Sequence, residues 1–253
     1  LTQLTDLRME ATGLDNVDSD LVITSNAGSV FPLGATTVVF SATDSAGNLG
    51  ASSSIVTVTD QASPMITAPE ATTIAAVDAT GTASSDSAVA SFIANAVAAD
   101  NVDGNVTIST NAPGQLPLGP TIVVFTATDA AGNTSTGSAT ITVADQTGPA
   151  VTVPAALVIA ADDATGTAAT NSAIAAFLLA ASAEDNVDDV LSPSNDAPDQ
   201  FPLGATVVIF SATDAAGNPG TASSTVTVAD QAVPVLSAPI AITVAAVDAL
   251  GTP

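Results

Sequence analysis

Cysteine, histidine, tryptophan and tyrosine are all absent from the 253 residues of this chain, and Arg8 is its single basic side chain. Each absence removes a class of chemistry. Without Cys or His, zinc and iron–sulfur sites lose their usual ligands. Without His or Lys, a Ser or Thr nucleophile has no conventional base, so triad catalysis is excluded. No disulfide can form, and without Lys no Lys–Asn isopeptide crosslink can replace it. Twenty-five acidic residues give a net charge of −24 that repels phosphate backbones, so no nucleic acid is expected as partner. No run of 18 or more apolar residues occurs, and no membrane span is expected. What is present is 47% hydrophobic residue, patterned so that it builds a core rather than a disordered tract. The carboxylate-rich remainder suits a hard, oxygen-liking cation, above all Ca²⁺.

The chain repeats itself. FPLGATTVVFSATDSAGN begins at Phe31, LPLGPTIVVFTATDAAGN at Leu116 and FPLGATVVIFSATDAAGN at Phe201, an ungapped period of 85 residues. The same offset relates the DNVD runs at Asp15, Asp100 and Asp185, and the linkers Asp60-Gln61, Asp145-Gln146 and Asp230-Gln231. Such a period is too long for a solenoid unit and suits a tandem array of small domains. Within each repeat, Val123, Phe125 and Ala127 alternate with Val124, Thr126 and Thr128 at strand period, and Ile141 and Val143 fall on one side of a second such run. Between these runs, the Gly and Asn of Asp129-Ala-Ala-Gly-Asn133 suit a tight hairpin turn. Residues 149–159 read as a further strand, with a break at Pro154. Val89, Phe92, Ile93 and Val97 fall instead at helical spacing, with Asp86 or Ser87 as cap, and Asn171 or Ser172 in the next copy. The fold class expected is all-β: tandem sandwiches, each with one short Ala-rich helix.

The ADNVDG run, the long F-P-L-G-x-T-x-V-x-F-x-A-T-D-x-A-G-N motif and the closing TVxD resemble the hyalin-repeat (HYR) branch of immunoglobulin-like domains. The resemblance covers nearly the whole chain. It implies an immunoglobulin-like sandwich and a secreted or cell-surface setting, in adhesins and fibres of bacterial type. Many hyalin repeats carry a cysteine pair; these have none. On this frame residues 61–145 and 146–230 are complete repeats. Residues 1–60 match the later part of one, with Leu4 and Leu7 at the positions of Val89 and Phe92 but no opening strand. Residues 231–253 supply such a strand, with Val235, Leu236, Ile242 and Val244.

Five aspartate positions recur in all three copies: Asp15/100/185, Asp18/103/188, Asp44/129/214, Asp60/145/230 and Asp78/163/248. They account for fifteen of the 25 acidic residues. If the sandwich is immunoglobulin-like, the linker, the DNVD loop and the hairpin turn all lie at one end of a domain. Asp60, Asp100, Asp103 and Asp129 then converge, with Asn101 and Asn133 as carbonyl donors. Asp145, Asp185, Asp188 and Asp214 do the same with Asn186 and Asn218. Asp15, Asn16, Asp18, Asp44 and Asn48 form the equivalent set in the first copy, with Asp230 of another subunit expected to share its calcium across a head-to-tail joint. Such a shell of carboxylates and amides fits Ca²⁺, which takes roughly 6–8 oxygens, and is similar to cadherin-type repeats, where acidic linkers and loops chelate calcium. A plainer reading stands beside it: Asp129 also suits a turn with no metal, DNVDG also reads as an Asx-rich loop without the EF-hand spacing, and Asp78, Asp163 and Asp248 belong to a structural turn. Convergence, and the lack of any basic partner, favour the cation.

The expected function is a structural subunit of an extracellular, calcium-stiffened fibre or stalk, and not an enzyme. Its expected partners are other copies of itself joined head-to-tail through the C-terminal strand, or neighbouring repeats of a longer chain. The alternative is a carbohydrate-binding surface module, against which stands the lack of Trp and Tyr. Paired carboxylates also serve glycosidases, but near-copies of one site at successive linkers point to architecture. Acidity serving solubility alone predicts scattered charge rather than charge in register.

Overall fold

A computed structural model describes residues 11–245 and 247. Leu4, Leu7, Arg8 and Asp248 lie outside the described residues, and so does the helix expected around the first two.

The first stretch carries β1 (Thr24–Ser25), β2 (Gly34–Thr43) and β3 (Leu49–Val58). The next has β4 (Met65–Thr67), β5 (Thr72–Ala75), β6 (Thr82–Ala83), α1 (Ser87–Ala94), β7 (Val97–Asp100), β8 (Gly104–Asn105), β9 (Thr107–Thr110), β10 (Gln115–Leu116), β11 (Gly119–Thr128) and β12 (Thr134–Ala144). The last has β13 (Ala150–Thr152), β14 (Leu157–Ala160), β15 (Thr167–Ala168), α2 (Ser172–Leu179), β16 (Ser182–Glu184), β17 (Val190–Leu191), β18 (Ser194–Asn195), β19 (Gln200–Phe201), β20 (Gly204–Thr213) and β21 (Pro219–Ala229). By compactness the chain divides into two units. One takes the described residues up to 72 with 83–114 and 120–142; the other takes 73–82, 115–119 and the described residues from 143 onward.

The second unit contains 146–230 entire, and its sandwich is the simplest to follow. One sheet has the order β14-β21-β20-β18, a second β13-β16-β17, and β15 pairs with β19. Strand alternation sends Val208 and Phe210 from β20, and Val226 and Val228 from β21, into a core completed by Ile174 and Phe177 of α2 and by Phe201. The opening strand splits as Pro154 requires, because proline cannot donate to a ladder. Its first piece, β13, runs antiparallel to β16, while its second, β14, runs parallel to the end of β21 from Leu157↔Val226 to Ala160↔Ala229. Val151, Val153, Leu157 and Ile159 pack on the core from this strand.

Strand order 85 residues earlier is the same, with β4-β7-β8 and β5-β12-β11-β9. In the first unit Phe92 of α1 meets Phe125 of β11 with ring centroids 6.0 Å apart, matched by Phe177 and Phe210 at 6.0 Å in the second. Asp86 and Asn171 cap the helices by accepting from Ala88 N and Ala173 N. The helix expected to run through Val97 stops at Ala94, and Val97 opens β7. Pairing of Val97 with Thr67 across the β4–β7 ladder outcompetes one further helical turn. The first stretch of chain holds the order β1-β2-β3. Residues 231–245 form no strand, and Val233, Val235, Leu236, Ile240, Ile242 and Val244 are exposed.

Candidate cation centres

Each candidate centre is built from two turns and a linker. In the first unit, β11 and β12 are joined by Asp129 to Asn133. Asp129 N donates to Asn133 O at 3.1 Å and Gly132 N to Asp129 O at 3.3 Å. The turn passes through Gly132 at φ 91°, a left-handed conformation that a residue with a Cβ rarely takes. It leaves the Asp129 carboxylate nearly buried, at 6% exposure, and clamped by Asn133, whose backbone N donates to Oδ1 at 2.7 Å and whose Nδ2 donates to Oδ2 at 2.8 Å. Burial pushes the Asp129 carboxyl up. The side-chain and backbone amides of Asn133, with those of Gly132 and Ala131, outweigh it and hold the group below its ordinary value.

The second turn is the DNVD loop. Asp100 Oδ1 accepts from Val102 N at 2.8 Å and from Asp103 N at 3.3 Å, an Asx turn that shapes the loop. Asp103 Oδ2 reaches the hairpin and accepts from Ala130 N at 2.8 Å. The linker closes the set: Asp60 Oδ1 accepts from Ala62 N at 3.0 Å, and Asp60 O accepts from Asn133 Nδ2 at 3.4 Å. Asp60, Asp100, Asp103 and Asp129 each present a carboxylate oxygen within 4.8 Å of the others.

The second unit repeats the arrangement with Asp145, Asp185, Asp188 and Asp214, again within 4.8 Å. Asn218 clamps Asp214, Ala215 N donates to Asp188 Oδ2 at 2.8 Å, and Asn218 Nδ2 lies 3.4 Å from Asp145 O. Asp214 is lowered against the push of burial by Asn218, as Asp129 is by Asn133.

The electrostatics of these clusters are unbalanced. Four carboxylates converge, and the only basic residue of the sequence is Arg8. Among the described residues Asp60 Oδ2, Asp100 Oδ2, Asp145 Oδ2 and Asp185 Oδ2 are buried with no hydrogen-bond partner. In each case the other oxygen, Oδ1, is the one that shapes the backbone. Like charges held this close, with buried and unpaired oxygens, destabilise the fold unless a cation neutralises them. Oxygen-only donors of this kind fit a hard divalent ion.

Other expected ligands stand differently. Asn133 and Asn218 turn their nitrogen, not their carbonyl, toward the carboxylates, because an amide N–H beside a carboxylate is the favourable dipole. They act as clamps. Asn101 is exposed. Its counterpart Asn186 donates through Nδ2 to Ala76 O at 3.0 Å and Val77 O at 3.3 Å, leaving Asn186 Oδ1 buried and unpartnered. Asp15, Asp18 and Asp44 do not come together as a group among the described residues. Asp15 shapes its loop through Val17 N and Asp18 N, Asp18 takes the Ser45 hydroxyl at 2.9 Å, and Asp44 is held by Asn48 and lowered by it. Asn16 is exposed, and so is Asp230, which accepts from Ala232 N at 3.0 Å. Asp78 and Asp163 close their own turns on Thr80 and Thr165. The exposed Ser45, with a hydroxyl where the other copies have Ala130 and Ala215, was not singled out from sequence; the alanine-to-serine change at fixed register was its available signal.

Residues 59–143 match the HYR domain. That segment is an HYR-like, immunoglobulin-like domain. Over 256 residues the chain is 34% identical to hyalin of Lytechinus variegatus, covering 96% of itself and 46% of that protein. Over 230 residues it is 33% identical to hyalin of Strongylocentrotus purpuratus, covering 87% of itself and 18% of that protein. It therefore spans less than half the length of these relatives. Both are sea urchin proteins, and the bacterial-type origin expected from the motif has no support from them. Solved structures with a similar chain course include PcdhgB3 EC1-4, at 13% identity and a TM-score of 0.32 over 85% of this chain and 65% of that one. Drosophila N-cadherin EC1-4 stands at 14% and 0.32, over 84% and 68%. No helix among the described residues is long and apolar enough to cross a membrane, which says nothing of a β-barrel.

Proposed function

We propose that this chain is a non-catalytic, extracellular segment of an adhesion-type fibre, in which Ca²⁺ bound at successive linkers stiffens a line of HYR-like sandwiches. The observation that carries this reading is the pair of four-carboxylate clusters, each with two buried, unpartnered aspartate oxygens. In each cluster one ligand comes from a linker and three from the domain that follows, so a bound ion ties the linker to that domain. Extracellular modules of this kind bind calcium in the range of about 10⁻⁴–10⁻³ M, which suits a medium rich in calcium and needs no high-affinity cage. Calcium is favoured over magnesium because it accepts six to eight oxygens at flexible angles, whereas magnesium keeps several of its waters. The hyalin relatives support the extracellular setting. In the assembled fibre the partners of each segment are further copies or further repeats in line with it.

Isothermal titration of the metal-free chain with CaCl₂ tests this. Two sites are expected, one lost in Asp100→Asn and the other in Asp185→Asn. No calcium binding in the millimolar range, or binding unchanged in both variants, overturns the reading.

A further inference from the structure

We propose that Asn105 is the acceptor for an N-linked oligosaccharide, and that this glycan covers an apolar strip on the outer face of the sheet β4-β7-β8. The proposal needs the extracellular setting and does not depend on calcium.

In a secreted chain, the triplet Asn-x-Ser/Thr with x other than proline accepts a glycan on the asparagine amide. The sequence holds it twice, as Asn105-Val106-Thr107 and as Asn133-Thr134-Ser135. The fold treats the two in opposite ways. Asn133 is half-buried. Its Nδ2, the atom that would carry the sugar, is committed to Asp129 Oδ2 at 2.8 Å and to Asp60 O at 3.4 Å. A glycan there would dismantle the turn. Asn105 ends β8, the short strand that follows the DNVD loop. Asn105 and Thr107 are both exposed, and among the described residues neither side chain has a hydrogen-bond partner. The residue 85 positions on is Val190, at 87% exposure, so the backbone at this place turns its side chain clear of the sandwich.

A second observation concerns the face on which Asn105 stands. Asn105 pairs with Ala99, Ala99 with Met65, and Val97 with Thr67. Strand alternation puts all five on one side of the sheet, while Ala98, one residue out of phase, is buried on the other. On the outer side Met65 is 76% and Val97 61% exposed. The sheet β13-β16-β17 repeats this geometry without the triplet, and there the same places hold Ala150 for Met65, Ser182 for Val97 and Glu184 for Ala99. The apolar side chains therefore occur on the face that carries the acceptor, and polar or small ones on the face that lacks it. An exposed apolar strip on a secreted module calls for a cover. Two strand spacings, about 10 Å, separate Asn105 from Met65, a distance that the core sugars of an N-glycan span.

The donor for such a transfer is an oligosaccharide linked through diphosphate to a membrane lipid, and the catalyst is an oligosaccharyltransferase of the secretory route. Asn105 Nδ2 bonds to the anomeric carbon, and the bond from that carbon to the diphosphate oxygen breaks. The lipid diphosphate leaves, and one amide proton passes to a base of the transferase. The remaining Nδ2 proton stays on an amide that points to solvent, so the β7–β8 ladder keeps its backbone bonds.

Secretion of the full chain from cultured insect cells tests this, with intact mass and peptide mass spectrometry as readouts. Expected is a single N-glycan, released by peptide N-glycosidase with a carboxyl left at position 105, while Asn133 stays unmodified. The glycan is expected to be lost in Asn105→Gln and in Thr107→Val, and kept in Thr107→Ser. A chain secreted without glycan, or one modified at Asn133 in place of Asn105, overturns the proposal. Enzymatic release of the glycan from the folded chain is further expected to raise the binding of an apolar fluorescent dye, and Met65→Ala with Val97→Ser to abolish that rise. Dye binding unchanged by release overturns the covering of the strip. Calcium titration of the same samples is read separately, so loss of the glycan and loss of the cation sites are distinguished.

Discussion

Asp100 divides its two oxygens between two tasks. Oδ1 shapes the loop through Val102 N and Asp103 N, and Oδ2 is buried without a partner among three other carboxylates. Asparagine keeps the first task and loses the charge of the second. Asp100→Asn is therefore expected to weaken calcium binding at its cluster by roughly tenfold or more, with a metal-free midpoint equal to or above wild type because repulsion is relieved. A lower metal-free midpoint with unchanged calcium binding would make Asp100 a turn former alone. The clamp residues behave differently. Asp129 and Asp214 are held below the ordinary carboxylate value by Asn133 and Asn218. A folded-state pKa below the unfolded one contributes stability that is full above the unfolded value, 3.8 for a free Asp, and lost as pH falls through the folded value. In EGTA, the acid-side fall of the thermal midpoint is expected to be shallower in Asn133→Ala than in wild type, because the lowering amide is gone. An unchanged slope would assign the lowering to other groups.

At the scale of elements, the strands were legible because their burial alternates. Val123, Phe125 and Ala127 are buried at 1%, 0% and 0%, as period two requires. Asp86 and Asn171 were legible as caps because short polar side chains before an apolar helical run have few other uses. Replacing either by Ala is expected to cost about 1 kcal/mol, read from denaturant midpoints. Val97 was misplaced because helical spacing and strand alternation both accept a single apolar residue, and only its partner Thr67 decides between them. The split of the opening strand into two sheets was marked by Pro154, but the sheet each half joins is tertiary information. In the centres, the carboxylates were legible because they recur at fixed register. The orientation of Asn133 and Asn218 was not, since an asparagine offers a donor and an acceptor and the sequence does not say which faces inward. Gly220 was opaque for the same reason: its need for a bare Cα comes from Pro149, 71 residues away. Gly220→Ala is expected to lower the thermal midpoint sharply, because a Cβ there would sit 1.9 Å from backbone, whereas Gly50→Ala, whose Cβ would meet nothing closer than Ala42 O at 4.0 Å, leaves it in place.

At the scale of the whole molecule, sandwiches of about 85 residues with 3% aromatics and no disulfide have modest cores. A net charge of −24 adds self-repulsion. On the proposed reading, cations at the two centres would offset both, each site at a tenfold excess over its Kd adding about 1.4 kcal/mol to the folded state. Each centre draws one of its carboxylates, Asp60 or Asp145, from a linker. The direct measurement is the thermal unfolding midpoint of the full chain in EGTA, in millimolar CaCl₂ and in MgCl₂ at equal concentration. The account predicts a large rise in calcium and a small one in magnesium, with the calcium rise diminished in the paired variant Asp100→Asn/Asp185→Asn. Equal midpoints in calcium and magnesium would contradict it.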